Sequence, residues 1–318
     1  MINVDYFSTL LHVIMSISFL KGVLCMGKMS KKMMYASQLT QHSDIFSCPI
    51  CQQDMHVDNL SQLVCESHHA FDIAKQGYIN FLNKAVKTQY EKSLFEARQS
   101  ILANTSLYES VTNSIVQVIE QNVKQQKRVI IDMGSGEGSH LANITKKLNG
   151  DNVSVGFDIA KEAVIAATSY NGSIMSAVAD ISDVPIKPQE ADVLLNILSP
   201  SNYNEFNRII KNDGIIVKVV PNSSYLQEIR TVLFEGNQDN DGYSNEDVVN
   251  LFHKTYDVIA EETVHEISDI DKTTLQHLIK MTPLTWSASD AQLTQLERKP
   301  IAEITIDLHI LVGKKRLT

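Results

Sequence analysis

Residues 129–138, Val-Ile-Ile-Asp-Met-Gly-Ser-Gly-Glu-Gly, constrain this chain more than any other stretch. An apolar run of β character ends at Asp132, three glycines follow at alternate positions, and a helical pattern runs from Ser139 to Leu148. The order predicts a strand, a tight turn and a helix. Gly134, Gly136 and Gly138 remove Cβ atoms where the backbone takes unusual angles and a ligand lies against it, while the helix start offers unpaired N–H groups. A nucleotide-like ligand is implied. The dinucleotide fingerprint G-x-G-x-x-G needs glycine at position 139, where this chain has Ser139.

Two further strand ends carry acids. Asn152–Phe157 leads to Asp158, twenty residues past Gly138, where a carboxylate can accept both hydroxyl protons of a ribose. The other reading of Asp158 is a cap for a helix at Lys161–Tyr170. Ile174–Ala179 ends at Asp180, which gives three acids after three successive strands. Beyond Asp183-Val184-Pro185, a fourth strand at Ala191–Leu195 closes with Asn196-Ile197-Leu198-Ser199-Pro200. Either this run faces a ligand, or Ser199 or Asn202 caps a helix at Tyr203–Ile210. A turn at Asn212-Asp213-Gly214, a fifth strand at Ile215–Val220 and a helix at Ser223–Phe234 come next. Tyr256–Ile267, a helix at Lys272–Lys280 and a last strand at Ile301–Val312 complete the alternation, and two helices with apolar residues at helical spacing fill 89–122. The pattern is an α/β fold. Gly236–Gly242 reads as a polar loop.

Upstream lies a second kind of motif. Cys48-Pro49-Ile50-Cys51 and Cys65-Glu66-Ser67-His68-His69 give the spacing C-x2-C-x13-C-x3-H, that of a Cys3His zinc site in which two close pairs meet across a hairpin-like loop. His69 is preferred to His68 as the fourth ligand, and three small buried cysteines are the other reading. Cys25 stands apart and is assigned nothing. Clustered cysteines suit a metal site in a reducing compartment, hence a cytoplasmic protein, better than a disulfide framework. The net charge of −9 argues against wholesale electrostatic binding of nucleic acid, so any RNA contact must be local. Aromatics and lysines interleave over Phe71–Leu82 and beyond, with Lys75, Lys84, Lys87, Lys92 and Arg98 outnumbering Asp72, Glu91 and Glu96. Phe71, Tyr78 and Phe81 either stack on unpaired bases or pack the small zinc domain. The first 34 residues look foreign. Leu10–Leu20 is apolar but short for a membrane span and lacks a basic flank before it, so the expectation is a native start at Met29, Met33 or Met34 and no membrane segment.

D-x-G-x-G-x-G resembles the first motif of class I S-adenosylmethionine-dependent methyltransferases. The zinc knuckle, Phe71–Leu82, the Asn-Ile-Leu-Ser-Pro run and Met281-Thr282-Pro283-Leu284-Thr285-Trp286 together resemble the bacterial 23S rRNA (guanine-N1)-methyltransferases, over residues 46–313. The resemblance implies a class I methyltransferase, Rossmann-like sheet with a small N-terminal zinc-binding domain. The chain then divides into a leader at 1–34 that has no counterpart in the family, a zinc-binding RNA-recognition domain at 35–88, a helical linker at 89–127 and a methyl-donor domain at 128–318. The resemblance also implies structural Zn2+ on Cys48, Cys51, Cys65 and His69, and S-adenosylmethionine near Asp132, Gly134, Ser135, Gly136, Glu137, Gly138, Asp158 and Asp180. Ser135 stands where the family often has cysteine. The partner implied is a 23S rRNA hairpin. Whether the chain forms a homodimer is left open. Guanine N1 carries a proton and is a poor nucleophile, which makes Asp180 and Asp183 candidate bases and Asn196 and Ser199 candidate contacts to the base edge. Two rival readings are a methyltransferase of a small metabolite and a non-catalytic RNA-binding protein.

Overall fold

The structure, a computed structural model, describes residues 29–84, 86, 91–234, 244–286 and 288–316. Leu10–Leu20, Cys25, Lys87 and the Gly236–Gly242 loop lie outside them. Helix α1 (Lys31–His42) is followed by three short antiparallel strands, β1 (Met55–Asp58), β2 (Gln62–Cys65) and β3 (Ala70–Asp72), and by β4 (Ile79–Asn80). Helices α2 (Lys92–Asn104) and α3 (Glu109–Asn122) lead to β5 (Lys127–Met133), α4 (Ser139–Lys147), β6 (Asp151–Asp158), α5 (Lys161–Ala167), β7 (Met175–Val178), β8 (Ala191–Ile197) and α6 (Tyr203–Ile209). The chain ends with β9 (Ile210–Pro221), α7 (Gln227–Leu233), α8 (Glu246–Thr255), β10 (Tyr256–Asp269), α9 (Lys272–Met281), α10 (Asp290–Arg298) and β11 (Glu303–Lys315).

The main sheet has eight strands in the order β10-β11-β9-β8-β5-β6-β7-β4. Strands β9, β8, β5, β6, β7 and β4 pair in parallel, and β11 runs antiparallel to both β9 and β10. This is the class I methyltransferase sheet with one short strand added at its edge. All seven residues of β8 are buried, as expected for a central parallel strand covered by helices on both faces. Period two then divides the apolar residues: Val193, Leu195, Ile215 and Val217 join the core with α3, α4 and α7, while Leu194 and Ile216 join the core on the other face.

That second core is shared with the N-terminal unit. Phe46, Leu63, Phe71 and Phe81 belong to the same buried cluster as Phe157, Ala177 and Ile186. Backbone bonds tie the two parts together, from Ser47 N to Pro185 O and from Lys187 N to Ile45 O, and β4 extends the main sheet beside β7. Helix α1 crosses the position where the leader was expected to end, and its Tyr35 hydroxyl donates to Ser176 O. Phe71, Tyr78 and Phe81 are 8, 5 and 6% exposed. They pack the junction, Phe81 against both Phe46 and Phe71, and are not surfaces for stacked bases. Among the described residues no helix is long and apolar enough to cross a membrane.

Candidate active site and metal centre

The three glycines after β5 all adopt positive φ, +84°, +57° and +78°. Gly134 N and Ser135 N both donate to Phe157 O, which folds the turn over the end of β6. Asp158 then fastens it: Oδ2 accepts from Gly136 N and Oδ1 from Ala160 N, each at 2.8 Å. The residue capping α5 is Ala160, so Asp158 joins the glycine turn to that helix rather than capping it. Burial pushes the Asp158 carboxyl up and these two N–H groups oppose the shift. Beneath the turn Asp132 is fully buried; burial raises it to about 7, and its Oδ1 has no hydrogen-bond partner among the described residues. Ser135 Oγ is likewise buried without one. Glu137 is buried in an ion pair with Arg98 Nε at 3.1 Å. Backbone N–H groups at a left-handed glycine turn, the Arg98 guanidinium 3.6 Å from where a Cβ on Gly136 would stand, and orphaned polar oxygens fit a polar ligand lying against the turn.

The turn opens into a cavity of about 940 Å³ at the carboxyl ends of the parallel strands, beside the switch in strand order between β5 and β8. Gly134, Gly136, Asp158 and Asp180 line it together with Ser199–Ser201, Tyr203, Lys218, Met281–Leu284 and Trp286. A volume near the top of the ~300–1,000 Å³ usual for ligand sites leaves room for two reactants.

The expected site residues divide between this cavity and its surroundings. Asp180 lines the rim, exposed, with Oδ1 accepting from Ser182 N and Oγ. Asp183 is exposed and outside the residues that line the cavity. Ser199 lines the wall and donates to Met133 O at 2.6 Å. Asn196 is wholly buried, and its carboxamide is occupied: Nδ2 donates to Met133 O and Pro200 O, while Oδ1 accepts from Ser201 Oγ and Lys218 Nζ. Its work is to shape the loop after β8 from behind. Asn202, not Ser199, caps α6, accepting from Glu205 N.

Several groups in the cavity lie outside the glycine and proline motifs. Arg98 falls on the buried face of α2 with Phe95 and Leu102, and the signal was a lone arginine within an apolar stripe. Tyr108 and Tyr225 meet hydroxyl to hydroxyl at 2.6 Å, with the His140 ring edge-on to Tyr108. Burial, aided by the nearby Arg98 charge, pulls His140 down to about 3, so its imidazole is neutral. Lys218 interrupts the apolar run of β9, and burial lowers its ammonium to about 8.

In the N-terminal unit Cys48, Cys51, Cys65 and His69 bring one ligand atom each within 4.8 Å of one another. Cys48 Sγ and Cys65 Sγ each lie 3.5 Å from His69 Nδ1, and Cys51 Sγ lies 3.6 Å from Cys65 Sγ. A tetrahedral zinc with Zn–S of about 2.3 Å and Zn–N of about 2.0 Å spaces its ligand atoms roughly 3.5–3.8 Å apart. The donor set fits zinc, through Nδ1 of His69. The neighbouring His68 takes φ +62° in the turn that presents it.

Comparison with known proteins agrees with both halves. The zinc-ribbon family described as RlmA, N-terminal, matches residues 46–88. A Bacillus subtilis (strain 168) protein, YxjB, bearing the name of a 23S rRNA (guanine-N(1)-)-methyltransferase, is 35% identical over 275 residues, 85% of this chain and 97% of its own. The 23S rRNA (guanine(748)-N(1))-methyltransferase of Streptomyces fradiae is 26% identical over 271 residues, 83% of this chain and 95% of its own. Among solved structures, a SAM-dependent methyltransferase from Aquifex aeolicus aligns at a TM-score of 0.45 with 11% identity, over 72% of this chain and 100% of that one.

Proposed function

This chain belongs to the 23S rRNA (guanine-N1)-methyltransferase family, and on that premise we propose that it transfers a methyl group from S-adenosylmethionine to N1 of a guanine in a hairpin of 23S rRNA, in the cytoplasm. The observation that carries the reading is one continuous cavity joining the glycine turn to the Asn196–Pro200 loop. Bound S-adenosylmethionine supplies an electrophilic methyl on a sulfonium. Gly134, Ser135, Gly136, Glu137 and Gly138 hold it through the turn, with Asp132 supporting the turn from below. Asp158 keeps lone pairs free on both oxygens beyond its two backbone bonds, enough to accept ribose hydroxyls. Asp180 faces the adenine side of the cavity and is the better placed of the two candidate bases, since Asp183 stands outside the lining. Ser199 meets the acceptor base, and Asn196 positions Ser199 and Ser201 around it. Zinc on Cys48, Cys51, Cys65 and His69 is structural, because four protein ligands complete the tetrahedron and leave no open position.

Positioning the methyl in line with N1 supplies much of the rate, since effective molarity can contribute ~7–11 kcal/mol. Closing the donor and acceptor into one buried space serves that purpose. Mass-spectrometric mapping of N1-methylguanine in 23S rRNA from cells with and without the gene tests the proposal. One mark lost at a single guanine and restored by the gene is the expected result. Persistence of every mark would move a small-metabolite acceptor ahead.

A further inference from the structure

Among the described residues three cationic side chains line the cavity, and two of them are spoken for. Arg98 pairs with Glu137, and Arg230 donates to Ser223 O and Tyr225 O. Lys218 differs. It is 3% exposed, its Nζ donates to Asn196 Oδ1 at 2.7 Å and Ser201 Oγ at 2.6 Å, and among the described residues no carboxylate pairs with it. One of its three ammonium N–H groups has no protein partner among those residues. A buried cation without a counter-charge costs stability, so its retention calls for a reason beyond packing.

Its place supplies the reason. Lys218 stands in register with Asn196 across β8 and β9, and Asn196 reaches Ser199 and Met133. The loop lies so close to the glycine turn that a Cβ on Gly134 would sit 2.6 Å from Ser199 Oγ. The ammonium therefore faces the acceptor half of the cavity, a short hydrogen-bonded step from the turn that holds the methyl donor.

We infer that Lys218 is a catalytic residue whose ammonium donates to O6 of the target guanine and stabilises the negative charge that gathers there as N1 gives up its proton. The inference rests on the reaction proposed above. In guanine the N1 lone pair is delocalised into the C6 carbonyl, and loss of the N1 proton places charge on O6. The N1 proton passes to the carboxylate of Asp180, the base proposed above, the N1 electron pair forms the bond to the methyl carbon, and the carbon–sulfur bond breaks with its pair left on sulfur. Substrate and product are both neutral at O6, so a fixed cation there favours the charged species between them. At a side chain as buried as Lys218 such a charge acts more strongly than in solution. Near neutral pH the lysine remains mostly protonated, as the donor must be. An adenine would present an amino group to this ammonium, donor against donor, which makes the same residue a discriminator for guanine.

The test compares wild type with Lys218→Met and Lys218→Gln. Glutamine keeps an N–H donor for Asn196 and Ser201 and loses the charge, so a merely structural lysine predicts near-normal rates for it. The inference predicts that both variants lose about 10²–10³-fold in single-turnover methylation of the 23S hairpin, the scale of one deleted oxyanion donor. Cofactor affinity by calorimetry stays within about threefold of wild type, which separates lost transition-state stabilisation from lost binding. A second readout needs no turnover. A hairpin with 6-thioguanine at the target position reports N1 ionisation through its near-ultraviolet band; bound to wild type with S-adenosylhomocysteine it should be more ionised near neutral pH than when free, and bound to either variant it should not. A glutamine variant with wild-type rate, or one that still enriches the ionised base, overturns the role of Lys218 and leaves the reaction standing. A wild-type enzyme that fails to methylate the guanine hairpin overturns both.

Discussion

Asp132 shows how much a single buried carboxyl decides. Burial raises it to about 7, so the native protein holds this proton over a range in which the unfolded chain, with an ordinary aspartate near 3.8, has released it. The native state then binds more protons, and its contribution to stability is fully present below pH ~4 and is lost as pH rises to ~7, on the order of 4 kcal/mol for a shift of this size. Asp132→Asn removes the titration. In urea unfolding of the cofactor-free protein the variant should gain on wild type as pH rises through that window; a difference that stays flat would show that Asp132 is not held protonated. The acid's position at the end of β5 was readable from its place before the glycines. Its burial, and the full engagement of the Asn196 carboxamide, were not, because hydrogen-bond saturation depends on which strands lie side by side.

At the scale of elements the zinc unit is the case in point. Its four ligands were legible from their spacing, and the short strands β1–β3 bury too little apolar surface to be stable alone. Tertiary packing changes the consequence of losing the metal. Cys48 and Cys65 sit in the same buried cluster as Phe157 and Ile186, and β4 is a strand of the main sheet. Chelation of zinc, or Cys65→Ser, should therefore lower the single unfolding transition of the whole protein, by roughly 5–15 °C for a loss of a few kcal/mol in a chain of this size. Differential scanning calorimetry with metal analysis checks this. A separate early transition, with the main one unmoved, would mean that the ribbon melts independently. Helices α2 and α3 carry a parallel lesson. Their apolar periodicity read as core and linker, yet α2 forms a wall of the cavity through Phe95 and Arg98.

For the whole molecule, charge sets the terms of RNA recognition. With a net charge of −9, the protein cannot lay a broad basic face along a phosphate backbone. The plot of log affinity against log salt for a 23S hairpin should have a shallow slope, about −2 to −3, corresponding to roughly three or four phosphates at −0.7 each. A slope steeper than about −6 in filter-binding or fluorescence titrations would reveal a basic track that the composition argues against. The alternation of strands and helices, the glycine turn, the acids at successive strand ends and the four zinc ligands were all legible in the chain, because each is written in local spacing and in the conformations that residue types allow. That Phe71, Tyr78 and Phe81 are core, that Asp183 stands outside the cavity, and that Arg98 and Lys218 line one chamber with the glycine turn emerged from packing alone. Those outcomes depend on which residues far apart in the chain are brought together, and strand order and burial are fixed by the packing of the whole sheet.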